Sequence, residues 1–138
     1  MAITSILIRL GLSLLVGAII GLDRELEHKP AGLRTMILVC LGSTVFMLIG
    51  ATISIPGLEQ GRIIAGVITG IGFLGAGAII RTGADVQGMT TAATIWLVSG
   101  LGLAVGCGAY ALAIITCLLS LVVLRLLHIV ERAFHKNQ

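Results

Sequence analysis

A chain of 138 residues that is 57% hydrophobic and only 11% charged, with a mean hydropathy of +1.14, is no soluble domain, since such domains are about 25% charged. The length leaves room for one domain, and lipid is the solvent that suits it. A net charge of +3 does not indicate nucleic acid, because aromatic residues are few, no Lys/Arg run forms a stripe, and the positives sit in short loops between apolar runs, where they report topology.

A bilayer is crossed by about 20 apolar residues in a helix, and the sequence offers five such runs, predicting an all-α membrane protein. The first runs from Ile3 to Leu22, the second from Met36 to Ile55 and the third from Ile63 to Ile80. Met89 to Leu127 is too long for one span. Dividing it at Gly106–Ala109 yields a fourth helix to Val105 and a fifth from Tyr110. Residues 1–127 then form a five-helix transmembrane domain and 128–138 a short cytoplasmic tail. The first run lacks a basic n-region and an A-x-A site, and so reads as a span, not a cleaved leader.

Lys and Arg orient the bundle. Loops 1–2 and 3–4 and the C-terminus share one side and carry Arg24, Lys29, Arg34, Arg81, Arg125, Arg132 and Lys136; the other side carries Arg62, joined by Arg9 if it snorkels. The C-terminus is expected in the cytoplasm and the N-terminus outside. Gly17-Ala-Ile-Ile20 echoes Gly77-Ala-Ile-Ile80. Gly32-Leu-Arg-Thr35 likewise echoes Gly88-Met-Thr-Thr91. Helices 1–2 and 3–4 would then be a parallel repeat, against the alternative of chance among Gly- and Ile-rich helices.

Glycine, 19 residues of the 138, is the strongest feature. Small residues four apart let helix backbones approach closely. Gly17 and Gly21 mark helix 1, Gly66, Gly70 and Gly77 helix 3, and Gly102 and Gly106 helix 4. Packing within one subunit and a dimer seam both fit. Gly72, Gly75 and Gly77 weaken a helix and mark a kink or a close contact. A homodimer is expected through a glycine face of helix 3 or helix 4, with helix 1 next in order.

In the loop Asp23-Arg24-Glu25-Leu26-Glu27-His28-Lys29-Pro30, the carboxylates of Asp23, Glu25 and Glu27 suit a hard cation such as Mg²⁺. The alternative, favoured by Arg24, Lys29 and Arg34, is a network of ion pairs at the membrane surface. Asp85 stands four residues after Arg81, at ion-pair spacing if helix 3 continues so far. Arg9 lies within helix 1, at a depth where charges are costly and often functional, unless it snorkels outward. Cys40, Cys107 and Cys117 lie in apolar spans and read as packing residues. No catalytic arrangement is present. Gly70-Ile-Gly72-Phe-Leu-Gly75 matches G-x-G-x-x-G but lies within a span with no strand before it, so it fails the nucleotide context.

Gly21-Leu-Asp-Arg-Glu25, Lys29-Pro-Ala-Gly-Leu-Arg-Thr35, Gly70-Ile-Gly-Phe-Leu-Gly-Ala-Gly77 and Val86-Gln-Gly-Met-Thr-Thr-Ala-Ala-Thr-Ile-Trp96 together resemble the membrane domain of the MgtC/SapB family. The resemblance implies a bacterial inner-membrane protein, not an enzyme, linked to magnesium homeostasis and virulence. It also implies regulation of membrane partners such as the F-type ATP synthase. Many members carry a C-terminal cytoplasmic domain, which the sequence to Gln138 does not include. Transport of Mg²⁺, another ion or a small solute is the alternative. Besides the lipid bilayer and a second copy, no partner is expected from nucleic acid, and no cofactor beyond Mg²⁺ is suggested. Asp23, Arg24, Glu25, Lys29, Arg34, Thr35, Asp85, Thr90 and Thr91 are expected to gather at the cytoplasmic ends of helices 1 to 4.

Overall fold

The structure, a computed structural model, describes residues 2–52, 60–83 and 85–135, with side chains as far as Leu126. Five helices follow in order: α1 (Ile3–Leu26), α2 (Leu33–Thr52), α3 (Gln60–Gly77), α4 (Met89–Cys107) and α5 (Tyr110–His135). α1, α2 and α4, of 24, 20 and 19 residues, are long and apolar enough to cross a membrane. α5 is apolar from Tyr110 to Leu126. α3 is 18 residues long, its apolar character diluted by Gln60, Arg62 and five glycines beyond Gly61. The fold is that of an all-α membrane protein.

Most helix bounds differ from the sequence reading by a few residues. α1 passes Leu22 to include the charged residues Asp23, Arg24 and Glu25. α2 starts three residues early, and Ile53 to Ile55 lie outside the described residues. α5 continues beyond Leu127 to His135, so most of the expected tail is helical. The Arg, Glu and Ala residues there are good helix formers, and leaving the apolar layer does not end a helix.

The clearest departure lies between α3 and α4. The third helix was expected to reach Ile80; it stops at Gly77. Two short strands follow, β1 (Ile80–Thr82) and β2 (Asp85–Gln87). They pair antiparallel with Arg81 opposite Val86 and Thr82 opposite Asp85. Gly75 and Gly77 weaken the end of α3, while Ile80, Thr82 and Val86 suit extended backbone. Gly83, at φ 66°, turns the chain. The helical pairing of Arg81 with Asp85 is therefore absent, and Arg81 Nε instead donates to the Gly83 carbonyl at 3.1 Å.

α2 and α4 form the centre of the bundle, with α1 against α2 and α3 against α4. The core lies where they meet, around Ile20, Met36, Cys40, Ile95, Val98 and Val105. Glycines bring the central helices together. A Cβ at Gly17 would stand 2.9 Å from Ile37 Cα, and one at Gly21 2.8 Å from Leu33 Cα. One at Gly102 would stand 2.8 Å from Ser43 Cβ, and one at Gly106 3.1 Å from the Thr44 carbonyl. These four are consumed inside the subunit. Gly75 faces Ala92 at ordinary contact distance, whereas Gly66, Gly70, Gly72 and Gly77 of α3 meet nothing within 4 Å.

At mid-height the core is polar. Thr44 Oγ1 lies 2.9 Å from Ser13 Oγ and donates to the Gly102 carbonyl at 2.8 Å. Ser43 Oγ and Ser99 Oγ are 3.0 Å apart. All four hydroxyl residues are buried and satisfy one another, as lipid surroundings demand. Large apolar side chains such as Phe73, Leu38, Leu118 and Leu119 are exposed around the outside, as a lipid-facing surface requires.

α4 ends in a Schellman motif: Gly108, at φ 85°, and Ala109 donate back to Val105 and Ala104. Arg9 completes this end. Its Nη1 donates to the Gly106 carbonyl, placing a cation at the negative end of the α4 dipole. Arg9 thus reaches from within α1 to the C-terminal end of α4.

Candidate functional site

At the opposite end of the bundle, where α1 ends and α4 begins, a pocket of about 530 Å³ opens between the α1–α2 loop, the β-hairpin and α5. Asp23, Arg24, Glu27 and Lys29 line one side, Gln87, Thr90 and Thr91 another, and Val123 and Leu124 an apolar wall. Of the residues expected to gather, five are here: Asp23, Arg24, Lys29, Thr90 and Thr91.

Asp23 is buried, its side chain 6% exposed, and accepts a 2.7 Å bond from Arg125 Nε, whose own side chain is 68% exposed. A buried carboxylate needs such a partner. Arg125, through this pair, joins the candidate site residues. In the sequence reading it entered only as a topological charge, because nothing in the chain shows which face of α5 turns toward α1.

Arg24 is 4% exposed. Its Nη2 donates to Thr91 Oγ1 across 3.4 Å, and its Nε is buried without a hydrogen-bond partner. Leaving a buried charged donor unmet is costly, so such a group calls for an explanation. Beside it stands the start of α4. Gly88 precedes this helix at φ 88°, and no side chain caps it. Only glycine fits there, because a Cβ would strike the Ala78 carbonyl.

Glu25 turns elsewhere. Its Oε2 accepts the Leu33 N–H at 2.9 Å and caps α2. Gly32 lets the carboxylate approach, since a Cβ there would collide with that oxygen. Arg34 and Thr35 are exposed in the first turn of α2 and do not line the pocket. Asp85 is exposed in β2 and also lies off the lining, although Val86 and Gln87 beside it belong to it.

Of the weak metal candidates, Asp23 pairs with Arg125 and lines the pocket with Glu27, while Glu25 turns to the α2 backbone. Among the described residues no three His, Cys, Asp or Glu stand together in a way that holds a metal ion. The residues present do not form an all-protein Mg²⁺ cage. Cys40 and Cys117 are buried as expected for packing residues, while Cys107 is exposed.

A second concavity of about 590 Å³ lies between α2 and α3, lined by Leu38, Phe46, Ile63, Gly66, Gly70 and Leu74. It is apolar, and it includes two of the open α3 glycines.

The chain is 37% identical over 139 residues to YhiD of Escherichia coli K12, a protein named provisionally as a magnesium transporter, covering 95% of this chain and 65% of that one. It is 42% identical to SapB of Bacillus subtilis, covering 85% of this chain and 54% of the relative. To MgtC of Salmonella typhimurium it is 46% identical over 98 residues, covering 71% and 42% respectively. The chain therefore spans about half the length of these curated relatives. No solved structure matches it. The MgtC family model matches residues 10–133, a stretch that takes in α2 to α4, most of α1 and α5 and the whole pocket, and the chain belongs to the MgtC family.

Proposed function

We propose that this protein serves bacterial adaptation to low magnesium from the inner membrane, by acting on a membrane partner at its cytoplasmic face. The F-type ATP synthase is the partner to test first. The observation that carries this reading is the pocket holding the buried Asp23 and Arg24 at the end of the bundle, where α1, the hairpin, α4 and α5 meet. Buried charges at a membrane boundary are expensive and are generally functional. Positive charge in the loops supports a cytoplasmic location for this end. Virulence would follow where a host compartment limits magnesium.

The test is growth in limiting magnesium of a bacterium deleted for its own family member and carrying this chain. Asp23→Asn should lose the growth benefit while inserting normally. Loss of both together would reduce Asp23 to a folding role. Reporters fused after Gln138 and in the Pro56–Gly61 loop should act as cytoplasmic and external; the reverse pattern removes the proposed location.

The hydroxyl layer of Ser13, Ser43, Thr44 and Ser99 at mid-height favours a second reading, the passage of an ion or small solute, which requires polar groups near the midplane. Magnesium flux into liposomes holding the purified protein would decide for transport. Absence of flux with retained growth benefit decides for regulation.

A further inference from the structure

We infer that the pocket at the start of α4 is a binding site for a phosphoryl anion, the chemistry shared by an anionic phospholipid headgroup and free phosphate. The inference deepens the preceding reading by naming the ligand of the same pocket, and it rests on that reading only for the pocket's importance in the cell.

Two independent observations converge. First, the lining includes Gly88, Met89, Thr90 and Thr91, the N-cap and first turn of the 19-residue helix α4. The hydrogen bond from Ala92 N–H to the Gly88 carbonyl opens the helical ladder. The N–H groups of Met89, Thr90 and Thr91 precede it and have no intrahelical acceptor. No side chain caps them. Such a terminus attracts anions through its N–H groups and its dipole. Second, Arg24 lines the same pocket, is 4% exposed, and has a buried Nε with no partner. A guanidinium with an unused donor, set beside an uncapped helix start, fits a phosphate oxygen.

Charge agrees. Arg24 and Lys29 line the pocket beside Asp23 and Glu27, and Arg125 pairs with Asp23. Three cations thus meet two carboxylates before the helix dipole is added. The hydroxyls of Thr90 and Thr91 supply further donors. The apolar wall of Val123 and Leu124, with Ile80, Val86 and Met89, would accommodate the glycerol and first methylenes of a lipid. α5 meanwhile leaves Leu118, Leu119, Val122 and Val123 exposed, an apolar surface suited to lipid tails. A soluble phosphate would use the polar side alone.

The test uses the full chain in a maltoside detergent. Inorganic phosphate, short-chain phosphatidylglycerol and short-chain phosphatidylcholine are each titrated, with thermal stability and ³¹P line broadening as readouts. Stabilisation by phosphatidylglycerol and not by inorganic phosphate assigns a headgroup site. Stabilisation by both assigns a site open to free phosphate. Either supports the inference. Arg24→Lys should weaken the effective ligand at least tenfold. Lys29→Gln, in the loop and safe for folding, should weaken it several-fold. Arg34→Gln, exposed and outside the pocket, should leave it unchanged. No response to inorganic phosphate or phosphatidylglycerol overturns the inference. Responses in both Arg24→Lys and Lys29→Gln equal to wild type overturn it too, as does equal stabilisation by phosphatidylcholine. A growth defect of Asp23→Asn without phosphoryl binding would sink this ligand and leave the regulatory reading standing.

Discussion

Two glycines of α4, two residues apart, should respond in opposite directions to the same substitution. A Cβ added at Gly102 would stand 2.8 Å from Ser43 Cβ and 3.0 Å from the Cys40 carbonyl carbon, with the Cys40 oxygen nearer still. Two of these obstacles are backbone atoms of α2, so the helices must separate. Overpacking of this kind costs about 1–3 kcal/mol. Separation also stretches the bond from Thr44 Oγ1 to the Gly102 carbonyl, and membrane hydrogen bonds of this type contribute about 0.6 kcal/mol on average. Alanine's better helix propensity returns about 1 kcal/mol. The net effect of Gly102→Ala is a loss of about 0.5–2.5 kcal/mol, dominated by the steric cost. At Gly100 an added Cβ meets nothing within 4 Å. Only the propensity gain remains, so Gly100→Ala should stabilise by up to about 1 kcal/mol.

Reversible unfolding in mixed maltoside and dodecyl sulfate micelles measures both, with Trp96, the sole tryptophan, as the fluorescent probe on the same helix. The expected order of midpoints is Gly100→Ala, wild type, Gly102→Ala. If Gly102→Ala matches wild type or exceeds it, the close α2–α4 approach is wrong. If both variants fall equally, glycine acts in α4 through something other than space.

Glu25→Ala should remove the cap on α2 and cost about 0.5–2 kcal/mol, read by the same unfolding assay; an unchanged midpoint would mean that the bond to Leu33 N–H adds nothing. Arg9→Met should lower stability by about 1–2 kcal/mol, because the Gly106 carbonyl and the α4 dipole lose their cation; a gain would show that burying the guanidinium outweighs its contacts. Gly70→Leu should convert a dimer into a monomer in crosslinking and light-scattering measurements, since α3 presents Gly66 and Gly70 with nothing packed on them; a wild type that is monomeric in both mild detergent and nanodiscs defeats the dimer.

The helices were legible because lipid imposes a simple rule. Each backbone polar group must be satisfied within its own segment, so an apolar run of sufficient length becomes a helix whatever its neighbours do. The break between α4 and α5 was legible for a related reason: Gly106 and Gly108 stand where a left-handed cap can form. The hairpin was hidden because Ile79 and Ile80 continue the apolar run of α3 and were counted with it. Hydropathy cannot distinguish a helical turn from an extended pair of β-branched residues. In the pocket, topology alone brought Asp23, Arg24 and Lys29 to the end that holds Thr90 and Thr91. Side-chain direction decided the rest. Glu25, two residues after Asp23 in α1, points about 200° away from it around the helix axis and reaches the α2 backbone instead. Arg34, Thr35 and Asp85 share the end of the bundle without facing the cavity.

The glycines show why a count of small residues is weaker than their placement. Gly17, Gly21, Gly102 and Gly106 each sit against backbone or Cβ atoms of α2, so α2 is gripped from both sides by the two helices that flank it. This grip closes the hydroxyl layer, since Thr44 can reach both Ser13 of α1 and the Gly102 carbonyl of α4 only when both backbones are near. The α3 glycines do nothing of the kind. α3 touches the bundle chiefly at Ile71 and Gly75, its two buried residues, and leaves Gly66, Gly70, Gly72 and Gly77 facing open space. A helix with that many glycines and so few contacts carries the propensity cost of each without the packing gain that offsets it in α1 and α4. α3 also leads directly into the hairpin, whose Ile80, Val86 and Gln87 wall the charged pocket. The helix that leads into the site is thus one that leaves four of its glycines unpacked.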